Sequence, residues 1–245
     1  MQDDAAADQP AAITATGIVK RFAANTALGG VSITVPFGHV TALIGRNGAG
    51  KSTLIRIIAT LILPDAGQAV VDGFDVAKDP NRARRRLGLA LGEDRSFFWR
   101  LTGQRNLEFF AALHGLGPKD ARVASAEALA AVGLETVADR RVDRYSTGMR
   151  SRLGIARALL GDPSVLLLDE PTRSLDPASA HDVQVLMHTL AHERNVAVLL
   201  ATHDLTEAAT LASQVLVMQA GRVHARVIPN GDVSLLEGAF LGSGS

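Results

Sequence analysis

The sequence predicts an α/β fold: a core with a mostly parallel sheet, an antiparallel β subdomain at its N-terminal end, and a helical subdomain inserted into the core. Three observations carry this. Short runs such as 165–168 and 196–201 are almost wholly apolar, as strands covered on both faces must be. The run Val40–Ile44 passes directly into a glycine-rich loop and then into a helix-period segment. From residue 102 to about 160 the period stays helical.

Taken in order, residues 13–22 and 31–35 read as strands, with Pro36-Phe37-Gly38-His39 as the turn before Val40–Ile44. Residues 52–61 form a helix, since Leu54, Ile57, Ile58 and Leu61 recur on one side. Pro64-Asp65-Ala66-Gly67 ends it as a turn. Residues 68–71 and the Asp72-Gly73 dipeptide suggest an antiparallel piece, and Leu87–Leu91 a further strand. In the helical stretch Thr102 can cap one helix, Pro118 suits the first turn of another, and Gly133 breaks it. Ser146 is an N-cap for the next helix, which stops at Gly161-Asp162-Pro163. Strand 165–168, helix 178–192, strand 196–201 and helix 204–211 follow, and Gln214–Gln219 pairs with Arg222–Val227 across Ala220-Gly221. The chain thus reads as one domain, 1–245. Its core is 12–92 and 161–228, its helical subdomain 93–160, with a disordered tail at 1–11 and a short tail at 229–245.

Composition narrows the function. Apolar residues make up 47% and charged residues 20%, which is globular and not disordered. The 25 basic residues balance the 25 acidic ones, so no broad field draws the chain to nucleic acid, and no nucleic-acid partner is expected. Without cysteine, thiol catalysis, disulfides and thiolate metal sites are excluded. The first ten residues are acidic and polar, unlike a signal peptide, and no run approaches the length of a bilayer span. A mean hydropathy of +0.16 with only 4% aromatics asks for either a buried parallel sheet or an apolar docking face.

Gly45-Arg46-Asn47-Gly48-Ala49-Gly50-Lys51-Ser52 is a complete P-loop, which makes the core a P-loop NTPase. In such a loop successive backbone N–H groups point at phosphates, and glycines let the chain approach them. The candidate nucleotide contacts are therefore Gly45, Asn47, Gly48, Ala49, Gly50, Lys51, Ser52 and Thr53, with Lys51 at the β- and γ-phosphates and Ser52 on Mg²⁺. Lys51 is one of four lysines in an arginine-dominated set, as suits a place for a compact ammonium. Later, Asp169 and Glu170 follow a buried strand, where open α/β sheets present ligands. Asp169 can hold Mg²⁺ and Glu170 can polarise the attacking water.

The order and spacing of these motifs resemble the ATP-binding subunit of ABC transporters over residues 13–228. Tyr145-Ser146-Thr147-Gly148-Met149-Arg150 resembles that family's signature sequence. The resemblance implies that Ser146 and Gly148 contact ATP held on the opposite subunit, so a second copy completes each site. It implies that Ser174-Leu175-Asp176 crosses the dimer seam, that His203 is the switch histidine beside the catalytic Glu170, and that Phe22 stacks on adenine. The position usually held by glutamine aligns with Glu93, an implied Mg²⁺ contact, which either changes the metal requirement or turns outward until the dimer closes. Thr147 and Met149 replace the family's usual glycine and glutamine.

Together with Phe97-Phe98-Trp99, these departures resemble the ABC-2 type exporter branch. That implies a homodimer around two ATPs, a separate integral-membrane permease, export, and residence on the cytoplasmic face of a bacterial membrane. The three aromatics either receive a permease helix or fill the joint between core and lobe. A non-transport ABC-type ATPase of DNA repair or translation, or an import subunit, is the alternative. The first of these usually carries a long coiled coil or a second ATPase domain. A simple kinase or GTPase fits less well, since no Asn-Lys-x-Asp sequence is present.

Overall fold

The computed structural model describes residues 11–23, 25–91, 96–173 and 175–241. Two sheets form its frame. Strands β1 (Ala11–Phe22), β2 (Asn25–Pro36), β4 (Ala66–Val71) and β5 (Phe74–Asp75) make an antiparallel sheet in the order β2-β1-β4-β5. The second sheet contains β3 (Val40–Ile44), β6 (Leu87–Leu91), β7 (Val165–Asp169), β8 (Ala197–Thr202), β9 (Gln214–Gln219) and β10 (Arg222–Val227), in the order β10-β9-β3-β8-β7-β6. Every pairing in it is parallel except β9 with β10.

The apolar runs have a direct physical cause. Along β7, Val165 and Leu167 enter one core while Leu166 and Leu168 enter the other; β8 divides the same way, Leu199 to one side and Val198 and Leu200 to the other. Successive side chains of a strand point to opposite faces, and here both faces are covered. One face packs on helix α1 (Lys51–Ile58) and the antiparallel sheet, through Leu54, Ile55, Ile57 and Ile58 against Ile13, Ile18 and Ile33. The other packs on α5 (Thr147–Leu159) and α6 (Pro177–Arg194), through Leu153, Ile155, Val183 and Met187. The high mean hydropathy is largely this sheet, although Phe98, Trp99, Leu61 and Leu63 also stand exposed. Among the described residues no helix is long and apolar enough to cross a membrane.

The inserted lobe holds α3 (Gly103–Leu113), α4 (Pro118–Ala131) and α5. Its caps are those the sequence suggests: Thr102 accepts from the Arg105 N–H, Ser146 accepts from the Met149 N–H, and Pro118 opens α4. Helix α6 is capped by the Asp176 carboxylate, and α7 (Leu205–Leu211) by that of Asp204.

Boundaries shift where local signals are weak. β1 begins at Ala11, inside the expected tail, and β2 begins at Asn25 because the bulged β1–β2 ladder continues past Val31 to the hairpin tip. Helix α1 stops at Ile58, where Thr60 turns left-handed (φ 61°) and the N–H groups of Leu61 and Ile62 close on the Arg56 carbonyl. Two helices had no legible period. One is α2 (Pro80–Arg85), with Ala83 its buried residue; the other is α8 (Val233–Leu241), which lies in the expected tail and buries Leu236.

Helix α5 approaches the sheet closely over Gly88, where an added Cβ would lie 2.2 Å from the Ala158 carbonyl oxygen. Gly88→Ala therefore forces helix and strand apart. The expected loss is about 1–3 kcal/mol, read as a lowered urea midpoint at unchanged slope.

Candidate nucleotide site

Strand β3 ends at Ile44, and the loop 45–50 leads straight into α1. Gly50 takes the N-cap place at φ 103°, and a Cβ there would sit 2.7 Å from both the Ala27 carbonyl oxygen and Leu28 Cδ2. The loop is pinned on its far side. The Gly221 N–H donates to the Ala49 carbonyl at 3.1 Å, and the Gly29 N–H donates to the Gly221 carbonyl at 2.8 Å. No side chain caps the start of α1. Its first-turn N–H groups, those of Ser52 and Thr53 among them, therefore stay available to an anion, so the loop fits a phosphate. A hollow of about 390 Å³ flanks the loop, between Arg46, Asn47, Gly48 and Ala49 on one side and Phe240 and Leu241 on the other.

Lys51 is only 6% exposed. Its Nζ donates to the Gly45 carbonyl at 2.6 Å, with the Arg46 carbonyl at 3.5 Å. Burial lowers its pKa from the usual lysine value, and the charges of Glu170 and Asp169 push it back up. The lysine and the acidic pair thus share one electrostatic site, although more than a hundred residues separate them.

The parallel register explains how they meet. Ile44 pairs with Thr202, and Asp169 with Ala201, so β3, β7 and β8 end at one edge of the sheet. Glu170 steps off that edge in a left-handed conformation (φ 54°), which costs a non-glycine residue about 1–3 kcal/mol. The Glu170 N–H donates to the Ala201 carbonyl at 2.8 Å and holds it there. Arg173 Nη1 lies 3.0 Å from Glu170 Oε2, and His203 Nδ1 lies 3.4 Å from Glu170 Oε1. Thr172, Arg173, Thr202, Asp204 and these two residues line a polar hollow of about 230 Å³.

Glu207 is the residue that the sequence reading missed. Asp204-Leu205-Thr206-Glu207 has the spacing of a capping box, in which the glutamate would turn back to the Asp204 N–H. That N–H instead donates to Thr202 Oγ1 at 3.1 Å, and Glu207 is buried at 1% exposure with Oε1 accepting from Thr172 Oγ1 at 2.7 Å. Burial pushes its carboxyl above the usual carboxylate range, while the Thr202 and Thr172 hydroxyls pull it down.

The signature-like segment stands apart. Ser146 and Thr147 are exposed at the start of α5, which packs on β6, three strands from β3, roughly 14 Å in strand spacing. Gly148 is buried against Ser179, and Ser151 Oγ donates to the Pro171 carbonyl at 2.5 Å, which ties α5 to the loop after Glu170. Phe22 is exposed at the β1–β2 hairpin, with Lys20 Nζ 5.5 Å from its ring. Glu93 and Ser174 lie outside the described residues. Among the described residues no group of three or more His, Asp or Glu side chains is placed to hold a metal ion. Phe97 is buried against Phe110, whereas Phe98 and Trp99 are each 46% exposed.

The family model described as ABC transporter matches residues 28–173, from the P-loop side of β2 through the acidic pair. The chain belongs to this family. It is 41% identical over 227 residues to the daunorubicin resistance ATP-binding protein DrrA2 of Streptomyces coeruleorubidus, covering 93% of this chain and 70% of that one. It is 36% identical to the bacitracin transport ATP-binding protein BcrA of Bacillus licheniformis, over 86% of this chain and 68% of that one. Among solved structures it resembles cbiO1 of Clostridium perfringens, described as part of the ABC transporter complex cbiONQ. That match has a TM-score of 0.83 at 26% identity and covers 95% of this chain and 96% of that one. The chain is accordingly an ABC-type ATPase, the ATP-binding and ATP-hydrolysing subunit of a transporter.

Glu207 gives the site a pH signature. Burial raises its native pKa above that of the unfolded chain, so the stability it contributes is full below the carboxylate range and falls as pH rises through that range toward the raised native value. Glu207→Gln carries no such titration. The stability of the parent minus that of the variant should decline as pH rises from about 4 in urea melts; a flat difference would mean that folding leaves the pKa of Glu207 unchanged.

Proposed function

We propose that two copies of this chain close around two ATPs and that the closure drives a separate ABC-2 type permease, in the direction of export. The observation that carries this is the split site. The P-loop, Asp169, Glu170 and His203 gather at one edge of the sheet, while Ser146 is exposed at the start of α5 in the inserted lobe. Among the described residues no hydrogen bond joins Ser146 to its own P-loop, so a partner's loop is its natural counterpart. The left-handed Glu170 and the N-cap Ser146 are both fixed by the backbone, which suits groups waiting for a second subunit.

In this reading Lys51 neutralises the β- and γ-phosphates and the amides of Gly48, Ala49, Gly50, Ser52 and Thr53 cradle them, with Gly45 and Asn47 shaping the loop. The Ser52 hydroxyl and Asp169 carboxylate are hard oxygen donors that fit Mg²⁺, an ion that takes few protein ligands and neutralises phosphate charge when bound. Glu93 is proposed as a further contact to that ion. Glu170 accepts the proton of the attacking water, and His203 steadies Glu170. Phe22 stacks on adenine, while Ser146 and Gly148 reach the partner's γ-phosphate.

The export reading draws on relatives named for drug resistance and bacitracin transport. It is supported by the exposed pair Phe98 and Trp99, which offers an apolar face at the edge of the lobe for a permease helix. Such docking puts the chain at the cytoplasmic face of the membrane, peripheral to the permease.

Glu170→Gln should abolish turnover and accumulate an ATP-dependent dimer in gel filtration; a variant that stays monomeric with ATP, with or without the membrane subunit, contradicts the shared site. Phe98→Ala with Trp99→Ala should leave ATP turnover of the isolated chain unchanged while reducing co-purification with its membrane subunit about tenfold or more. Undiminished co-purification would assign the two aromatics to the lobe alone.

A further inference from the structure

The loop bearing Glu170 and the loop bearing His203 meet through one buried side chain. Glu207 lies on α7, its Oε1 accepting from Thr172 Oγ1 at 2.7 Å, two residues beyond Glu170. On the other side it is tied to the residues flanking His203. The Glu207 N–H donates to Asp204 Oδ1 at 3.1 Å, and the Asp204 N–H donates to Thr202 Oγ1 at 3.1 Å. Thr172 in turn fixes its own turn, its carbonyl accepting from the Leu175 N–H at 3.1 Å, while the Glu170 carbonyl accepts from the Arg173 N–H at 3.2 Å. Short stretches of backbone and these hydrogen bonds thus connect the Glu170 turn, through Thr172 and Glu207, to both neighbours of His203.

The chemistry of this position is not what packing alone requires. Glu207 is 1% exposed, and its Oε2 has no hydrogen-bond partner. Leaving a buried polar oxygen unpaired costs about 1–3 kcal/mol, and an apolar side chain would fill the space without that cost. The charged groups that bear on it are the Asp204 carboxylate and the His203 imidazole, with opposite effects. Its hydrogen-bonding hydroxyl, that of Thr172, comes from 35 residues away in sequence, so the contact joins two loops and not only one helix end.

We propose that Glu207 is a positioning residue of the ATPase reaction: its carboxyl ties Thr172 to the first turn of α7, which Asp204 caps beside His203, so that Glu170 and His203 keep their 3.4 Å approach and move as one unit. The proposal rests on the roles given to Glu170 and His203 above. It does not involve the P-loop, so loss of the clamp acts on turnover and leaves ATP binding alone.

The test is steady-state ATP turnover by the full chain, with ATP affinity measured in parallel. Glu207→Ala should lower kcat on the order of tenfold to a hundredfold, since a small displacement of a reacting group has that effect, with the KM for ATP unchanged. Glu207→Gln, which can still accept from Thr172, should keep kcat within about twofold of the parent. Thr172→Val removes the same hydrogen bond from its other end and should match Glu207→Ala. Where Glu207→Ala does not fold, the contrast between Thr172→Val and Glu207→Gln decides. Parental kcat in Thr172→Val or Glu207→Ala overturns the clamp, as does a loss of ATP affinity that parallels loss of stability in all three. Glu170→Gln separates the two levels. If it turns over ATP at the parental rate, the role of Glu170 is wrong; if it is inactive while Thr172→Val is normal, the clamp alone is wrong.

Discussion

The parallel register of β3, β7 and β8 is the constraint on which the rest depends. Because Ile44 lies beside Thr202 and Asp169 beside Ala201, three chain segments leave the sheet at one edge. The P-loop, the acidic pair and His203 are each carried by the residue that follows. A one-residue slip in any of these pairings would send its strand's side chains to the opposite core and move its functional group off the edge. Apolar cores on both faces oppose such slips, so the hydrophobic effect that builds the sheet also sets the geometry of the site.

Onto that edge the fold places charges that need one another. A lysine at 6% exposure is tolerable beside two carboxylates, and their fields oppose the loss of its proton. Glu170 is held in a left-handed conformation that non-glycine residues seldom adopt, between Arg173 and His203. The strain is local, and the hydrogen bond to the Ala201 carbonyl offsets part of it.

Much of this was legible without coordinates because the signals are local. Loop 45–52 is contiguous, and its glycines hold positive φ, with Gly45 and Gly50 also leaving no room for a Cβ. The caps Thr102, Ser146 and Asp204 act within three residues of themselves, and the apolar strands announce burial on both faces. Less was legible where an element has no period of its own: α2 buries Ala83, and α8 depends on Leu236 reaching a core assembled from distant residues. Of the aromatic triplet, sequence could not say which ring faces inward. Packing on Phe110 made it Phe97 and left Phe98 and Trp99 outside.

The sequence by itself determined the nucleotide loop, the acidic pair, the order of the main strands and helices apart from α2 and α8, and the membership of the family, since each follows from a short run of residues read against its neighbours. Tertiary structure alone decided that helix α5, which Ser146 caps, packs on β6, three strands from β3, and that Glu207 leaves its capping box to grip Thr172, 35 residues away. The physical reason is range. Periodicity, caps and glycine turns act over a few residues, whereas the partner of a buried carboxyl is chosen by which strands lie side by side once the sheet has formed.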